Sequence, residues 1–505
     1  MRMSIYTKRD WIAALVAFVL VAAVAVGSLK VGLTSWGDDN AAYINEGIAI
    51  AESRFNEQLR INYEYHPSSL PDEADDGKLV YVWGFPLMLS LVYRLVGFDR
   101  TGYTSIIWYK LPLALNLALL GAVLVLFFRR RFSLVASVFL TLVFCVNRSI
   151  MIALNMLYAD LTFLFLSMTT LWLMECFADG FKTSRSHTAL GVVYGLALFF
   201  THETRLNGIT ICVVAFIGHV LMMLKKRADR RTLALNLMPY ALAAALALAA
   251  EHLWLAPATR NTSDMTATQF AFNIQYYTQL LIDWFSELFG PKLPWLGYGV
   301  AALCAVGIAT GGLGENLHLT LLLAGTFVVL ELLYYHQGLR YLYNVLPLLL
   351  MYGFQGAAFI AERIAGHWGE TGRTKLRRAG CVLALALLAL TFSVRGPAIA
   401  QNLNAWGKVG KKDVYSSAAI QMYRYIQKHV PADSIICFGK PRMLYLNTGR
   451  RSFRWGQNGH DVTEADFYLQ YKYNAFGDQE LDQTPIDSMH VVKRTKSFTL
   501  YRVDK

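Results

Sequence analysis

Residues 11–40 read WIAALVAFVLVAAVAVGSLKVGLTSWGDDN. The run from Trp11 to Leu29 carries no charged side chain. At a rise of 1.5 Å per residue it makes about 28 Å of helix, enough to cross the hydrocarbon core of a bilayer. Arg2, Lys8 and Arg9 precede it. A secretory signal has a shorter apolar core, about 7–15 residues, closed by a small-residue cleavage site. The run is therefore expected to stay as a first transmembrane helix. Just beyond it stand Asp38 and Asp39, two carboxylates placed at the membrane surface.

The rest of the chain agrees with that start. Of its 505 residues, 55% are hydrophobic and 16% charged, and the mean hydropathy is +0.36. Soluble domains carry about 45–50% apolar and about 25% charged residues. The composition excludes a soluble globular, disordered or collagen-like chain. Apolar runs follow at 104–128, 133–148, 158–178, 187–201, 206–224, 232–255, 295–311, 316–336, 340–361 and 379–395. With the first run they predict an α-helical integral membrane bundle of about eleven spans. Five of the six cysteines lie in such runs, Cys437 lies in the tail, and none has C-x-x-C spacing.

The linkers orient the bundle. With the N-terminus in the cytoplasm, segments 1–10, 129–132, 179–186, 225–231, 312–315 and 362–378 fall inside and hold 18 of the 47 Lys and Arg residues. That is the positive-inside pattern. It accounts for part of the net charge of +12, and since the clusters lack aromatic interleaving, nucleic acid is not expected as a partner. The first loop, 30–103, the loop 256–294 and the tail from Pro397 are then outside. The first loop is acidic, with six Lys and Arg against eleven Asp and Glu. Its start, Asp38 to about Gln58, has the period of an amphipathic helix capped by Asp38 or Asp39, and Tyr81–Val96 suits an interfacial or re-entrant segment.

The tail, 397–505, reads as a soluble α/β domain appended to a membrane part, 1–396. A helix is expected at Ser416–His429, a strand at Ser434–Phe438, a second helix from Met443 to near Gly449, and strands at Asp466–Tyr473, His490–Lys493 and Ser497–Val503.

Several short motifs occur in order: Asp38-Asp39-Asn40-Ala41-Ala42-Tyr43; Lys78 and Tyr81-Val82-Trp83-Gly84-Phe85-Pro86-Leu87; Tyr158-Ala159-Asp160; Thr201-His202-Glu203-Thr204-Arg205-Leu206-Asn207-Gly208; Arg340-Tyr341-Leu342 ahead of Leu346-Pro347; and Lys440 to Arg450 in the tail. Together they resemble the polyprenyl-phosphate-dependent glycosyltransferases of the GT-C superfamily, in particular members related to protein O-mannosyltransferases and to the aminoarabinose transferase of lipid A. The chain departs from the family's Thr-Arg-Pro, having no proline after Arg205, and carries Val82 to Pro86 where the family has a proline-rich segment.

The resemblance implies a GT-C type bundle. It implies transfer of a sugar from a polyprenyl-phosphate donor to an acceptor hydroxyl of a glycan, lipid or protein, with inversion, outside a bacterial inner membrane. Such a reaction needs a carboxylate to take the hydroxyl proton and cations to hold the leaving phosphate. The resemblance makes Asp38 or Asp39 the general base. Asp160 becomes a second acidic group for acceptor or metal, with His202 and Glu203 as further sugar or metal contacts. Lys78, Arg205, Arg340 and Tyr341 become the phosphate-binding set. No cofactor is required, and a divalent metal is compatible with the acidic residues. The alternative reading is a polytopic transporter or a flippase for lipid-linked sugar. Against it stand the lack of two similar halves and the clustering of polar motifs at the outer surface rather than at midplane.

Overall fold

The computed structural model describes residues 6–33, 36–54, 82–100, 104–179, 185–225, 233, 235–253, 267–289, 292–312, 314, 316–333, 338–367, 369–404, 408–455, 461–472 and 488–504. The first helix, α1 (Lys8–Gly27), starts where Thr7 and Asp10 exchange side-chain and backbone hydrogen bonds in a capping box. Next come α2 (Asp38–Glu52), α3 (Gly84–Val96), α4 (Thr104–Arg129), α5 (Leu134–Cys145), α6 (Arg148–Leu154), α7 (Asp160–Asp179), α8 (Arg185–Thr204) and α9 (Gly208–Lys225). The bundle is completed by α10 (Met238–Leu253), α11 (Ala267–Ser286), α12 (Pro294–Gly307), α13 (Leu317–Leu333), α14 (Leu346–Gly366) and α15 (Gly369–Asn404).

Among the described residues, six helices are long and apolar enough to cross a membrane, and α5 with α6, bent by 56°, form a broken span or a re-entrant loop. The chain is a multi-pass membrane protein, with fewer self-sufficient spans than the eleven runs predict. The other four runs fall on α8, α10, α13 and α14. Of these, α10 and α13 are short, at 16 and 17 residues. The other two, α8 and α14, end in polar residues such as His202 and Arg363. Helices like these depend on their neighbours for cover. Glycine supplies the closest contact: a Cβ on Gly307 would lie 2.0 Å from the Tyr352 carbonyl, and one on Gly356 2.0 Å from that of Leu303. Only glycine lets α12 and α14 cross backbone to backbone, as small residues do between membrane helices. The segment 256–294, read as a loop, contains the helix α11.

One end of the bundle is closed by ion pairs of the arginine triplet. Arg129 Nε sits 2.7 Å from Asp10 Oδ1, and Arg130 Nε 2.7 Å from Glu175 Oε2. Arg131 also pairs with Glu175, and His318 Nε2 lies 3.1 Å from Glu175 Oε1. Arg131 Nε donates to Asn316 Oδ1 at 2.8 Å. Asp10, the arginine triplet and Asp179, from three of the segments expected inside, thus meet at one end.

At the other end, α2 differs from its expected form. Its N-cap is Gly37 rather than Asp38 or Asp39, and it ends at Glu52 because Ser53 turns left-handed at φ 57°. Asn40 through Ala49 are all buried, since α3 packs along one side and a tail helix along another. An apolar stripe suggested a surface helix, but α2 is an interior one. The helix α3, with 13 residues, is too short to span, in keeping with a re-entrant or interfacial segment.

The tail follows α15, which runs on through Pro397 to Asn404. It comprises α16 (Ser417–His429), β1 (Ile435–Cys437), α17 (Pro441–Thr448), β2 (Arg451–Phe453), β3 (Phe467–Tyr471), β4 (Met489–Arg494) and β5 (Phe498–Val503). The sheet order is β2-β1-β3-β5-β4. β1 is parallel to β2 and β3, while β5 is antiparallel to β3 and β4. Strand β2 was not expected from sequence.

Candidate active site

Four separate elements bring two carboxylates and two guanidinium groups together. Asp39 is the second residue of α2, and Asp160 opens α7, where the helix dipole favours an acid. Arg205 follows the last turn of α8, and Arg340 sits in a single 3₁₀ turn, Leu339–Leu342, that leads into α14. Both terminal nitrogens of Arg340 donate to Asp39 Oδ2, at 3.2 and 3.3 Å. Arg205 Nη1 pairs with Asp160 Oδ1.

Tyrosine rings separate the charges. Arg340 lies 4.8 Å from the ring centre of Tyr158 and 5.0 Å from that of Tyr341, and donates to the Tyr341 hydroxyl at 2.9 Å. Arg205 lies 5.4 Å from the centre of the same Tyr341 ring and 5.9 Å from that of Phe163. Tyr341 is therefore a wedge between the two guanidinium groups. Cations over aromatic faces are held with direction as well as charge. Burial opposes the charge on Arg340, but Asp160, Tyr341 and Asp39 outweigh it and hold its proton more tightly than usual. Tyr43 lies fully buried within the field of all four charges, its ring edge-on to Phe85 at 4.9 Å. Burial pushes its phenol upward, so it stays a neutral hydroxyl.

Asp38 faces elsewhere. Its Oδ1 accepts the backbone N–H of Met443 at 3.2 Å, in the first turn of the tail helix α17. Lys440, the N-cap of α17, makes no side-chain capping bond, and Asp38 supplies a cap from a different part of the chain. Trp36 adds a second tie, donating from its indole to the Lys412 carbonyl at 2.9 Å.

His202 and Glu203 bond to one another, with Nδ1 3.0 Å from Oε1, and Glu203 is buried. The turn that carries them packs on α3. A Cβ on Gly84 would come within 2.6 Å of the Glu203 carbonyl, and the Trp83 ring lies 5.6 Å from that of Phe199. Lys78 lies outside the described residues. Thus Asp39, Asp160, Arg205, Arg340 and Tyr341 form one group, Asp38 holds the tail, and His202 and Glu203 form a pair of their own. Sequence reasoning quoted Tyr43 and Tyr158 within motifs without giving them a role. Their signal was adjacency, Tyr158 two residues before Asp160 and Tyr43 one helical turn after Asp39.

A metal was expected to be compatible with Asp160. Among the described residues no three His, Cys, Asp or Glu side chains converge as a metal site, and the Asp160 carboxylate is engaged by Arg205. In this arrangement Asp39 and Asp160 each face a guanidinium group.

No family model and no curated protein matches the chain by sequence. Solved structures match by shape. ArnT from Cupriavidus metallidurans, bound to undecaprenyl phosphate, aligns over 96% of this chain and 97% of its own, with a TM-score of 0.56 and 14% identity. The Archaeoglobus fulgidus oligosaccharyltransferase in its apo form aligns over 92% of this chain and 70% of its own, with a TM-score of 0.52 and 11% identity. The same enzyme, AglB, in complex with an inhibitory peptide and a dolichol-phosphate, aligns at 11% identity over 91% and 69%, with a TM-score of 0.50. The chain shares its fold with these proteins, as the order of its motifs implies.

Proposed function

We propose that the chain is a membrane glycosyltransferase that moves a sugar from a polyprenyl-phosphate donor to an acceptor hydroxyl, with Asp39 as general base. The observation that carries this reading is the Asp39–Arg340 pair with Arg205 beside it: a proton acceptor and two phosphate-matching cations within one group. The fold supports it, because a structural neighbour holds undecaprenyl phosphate and another dolichol-phosphate. Asp39 is favoured over Asp38 because Asp38 is spent on Met443.

The chemistry follows from charge. The donor phosphate enters as a phosphodiester monoanion and competes with Asp39 for Arg340. Once Arg340 turns to the phosphate, the lone pairs of Asp39 are released to the acceptor hydroxyl. The hydroxyl oxygen then bonds to the anomeric carbon as the bond from that carbon to the phosphate oxygen breaks. The hydroxyl proton passes to Asp39, and the bond's electron pair stays on the lipid phosphate, held by Arg340 and Arg205. Attack opposite the leaving group inverts the anomeric centre. Asp160 keeps Arg205 aimed at this place. His202 and Glu203 are assigned to the sugar or acceptor side, and Lys78 to the phosphate. In this reading residues 1–396 are the catalytic membrane part and 397–505 an extracytoplasmic α/β part, with α15 crossing the boundary. The active end faces outward from a bacterial inner membrane, and the arginine triplet marks the cytoplasmic end.

The test is purified chain incubated with a panel of polyprenyl-phosphate sugars, with cleavage and transfer followed by mass spectrometry. Cleavage of one donor by the wild type and its loss in Arg340→Gln are expected. A folded chain that cleaves none of the donors, or that carries an intact lipid-linked sugar across liposomes, refutes the proposal and favours a flippase.

A further inference from the structure

A second feature lies apart from the Asp39–Arg340 group and shares no residue with it. Where α1 and α15 end, residues 29–32, 401–402 and 408–413 line an open cavity of about 690 Å³. Four lysines line it: Lys30 from the exit of α1, and Lys408, Lys411 and Lys412 from the linker. Asn402, in the last turn of α15, and Asp413 complete its polar wall. A fifth lysine lies beneath, with its amine tied to backbone and amide oxygens. Lys110 is fully buried, and its Nζ donates to the carbonyls of Lys30 and Gly32 at 2.8 and 2.7 Å and to Asn155 Oδ1 at 3.3 Å.

Two helix C-termini point toward the cavity, and their partial negative charges offset only about one unit of this excess. Asp413 is the single carboxylate on the lining. It is turned into the wall, where it accepts the Tyr415 N–H at 2.9 Å and abuts Gly32. The cavity is therefore a cationic basin, open to solvent where its four lysines are exposed.

Its surroundings say what kind of anion it meets. Both helices that frame it are apolar enough to span. α15 carries Val382, Leu383 and Leu385 more than half exposed, an apolar surface suited to acyl chains. A basic pocket at the end of such a helix stands at headgroup depth.

We propose that this basin binds the headgroup of a phosphate-bearing anionic lipid, at a site separate from the one that runs the chemistry. A bound headgroup joins the exit of α1 to the linker at Lys412, whose carbonyl already receives Trp36 two residues before Asp38. The lipid thus steadies the junction from which Asp38 and Asp39 are held.

The full chain in mild detergent is titrated with phosphatidylglycerol, phosphatidylcholine or inorganic phosphate, and bound lipid is counted by native mass spectrometry. Retention of phosphatidylglycerol over phosphatidylcholine is expected. It should fall at least about tenfold in Lys408→Gln/Lys411→Gln/Lys412→Gln and return in the corresponding triple Lys→Arg variant, which keeps the charge. Equal retention of phosphatidylglycerol by wild type and the Gln variant overturns the proposal. So does displacement of the lipid by inorganic phosphate at equal concentration, which marks a site for free anion. The Asp39→Asn variant keeps the lipid if the basin is separate; its loss there assigns the lipid to the Asp39–Arg340 site instead. This result does not depend on whether the chain transfers sugar.

Discussion

Asp38 and Asp39 are neighbours in the chain and serve opposite sides of one helix start. Asp39 Oδ2 receives both terminal nitrogens of Arg340, at 3.2 and 3.3 Å. Asp38 Oδ1 receives the Met443 N–H of the tail at 3.2 Å. A helix turns about 100° per residue, so adjacent positions cannot share a face. One aspartate is directed into the charged group while the other fastens the α/β tail above it.

The two substitutions should therefore part company. Asp39→Asn removes the proton acceptor and keeps the shape. Turnover of a lipid-linked sugar should fall by about 10²–10⁴ with the melting temperature little changed. Asp38→Asn retains an oxygen that accepts the Met443 N–H, so most activity should survive. Asp38→Ala removes that cap and should cost about 0.5–2 kcal/mol, read as earlier melting and as faster proteolysis of the tail. If Asp38→Asn abolishes turnover while Asp39→Asn spares it, the two roles are exchanged.

A close approach at the edge of the site gives a second outcome. A Cβ on Gly84 would stand 2.6 Å from the Glu203 carbonyl, a rigid backbone atom. Gly84→Ala must push α3 away from the end of α8, at a cost of about 1–3 kcal/mol. Gly299, with nothing within 4 Å of its Cβ position, is the control. Melting in detergent should drop for Gly84→Ala and not for Gly299→Ala, and the first should also raise KM, because Glu203 lies two residues from Arg205.

Much of this was legible in the sequence, for reasons that differ by residue. The tail was readable because Pro431, Gly439 and Gly449 punctuate its elements, and strand β1 fits between them. The three-residue strand β2 has no period of its own and exists only through pairing with β1. The site was legible as a set of types on one side, acids at 38, 39 and 160 and arginines at 205 and 340. Their pairing was not, since Asp39 and Arg340 are 301 residues apart and meet only through the packing of the bundle. The burial of α2 was missed for a like reason. Its polar residues, Asn40, Asn45 and Glu46, are all buried, which no amphipathic pattern foretells. The run 133–148 covers α5 and stops at the start of α6, since hydropathy carries no mark of a second helix bent 56° from the first.

Titration at the foot of the tail gives a third outcome. Burial raises the Asp413 carboxyl to about 6, although the Tyr415 N–H and Lys110 pull it down. A raised acid binds its proton more tightly in the folded chain than in the unfolded one. Its contribution is therefore most favourable below the unfolded value of 3.8 and is lost as the pH climbs toward 6. The loss is on the order of 2 kcal/mol, given partial exposure. Asp413→Asn mimics the protonated form. The difference in melting temperature between variant and wild type should be near zero at the acid end of this window and favour the variant by pH 7. A flat difference across the window would show that Asp413 titrates normally.

The opposite end of the bundle supplies a control that separates stability from chemistry. Glu175 has a side chain only 2% exposed and faces Arg130, Arg131 and His318 together. Glu175→Ala leaves two guanidinium groups partly buried without their common anion. Removing one partner of such a buried pair costs about 3–5 kcal/mol. Glu175→Gln keeps the volume and one acceptor oxygen, so it should fall between the alanine variant and wild type. Both should melt earlier, and Arg130, which also pairs with Asp179, should limit the damage. Because this cluster closes the end away from Asp39 and Arg340, the fraction that remains folded should turn over lipid-linked sugar with unchanged KM and a pH profile matching wild type. A shifted profile at full folding would mean that the two ends are coupled through α7, whose first residue is Asp160 and whose last turns carry Glu175.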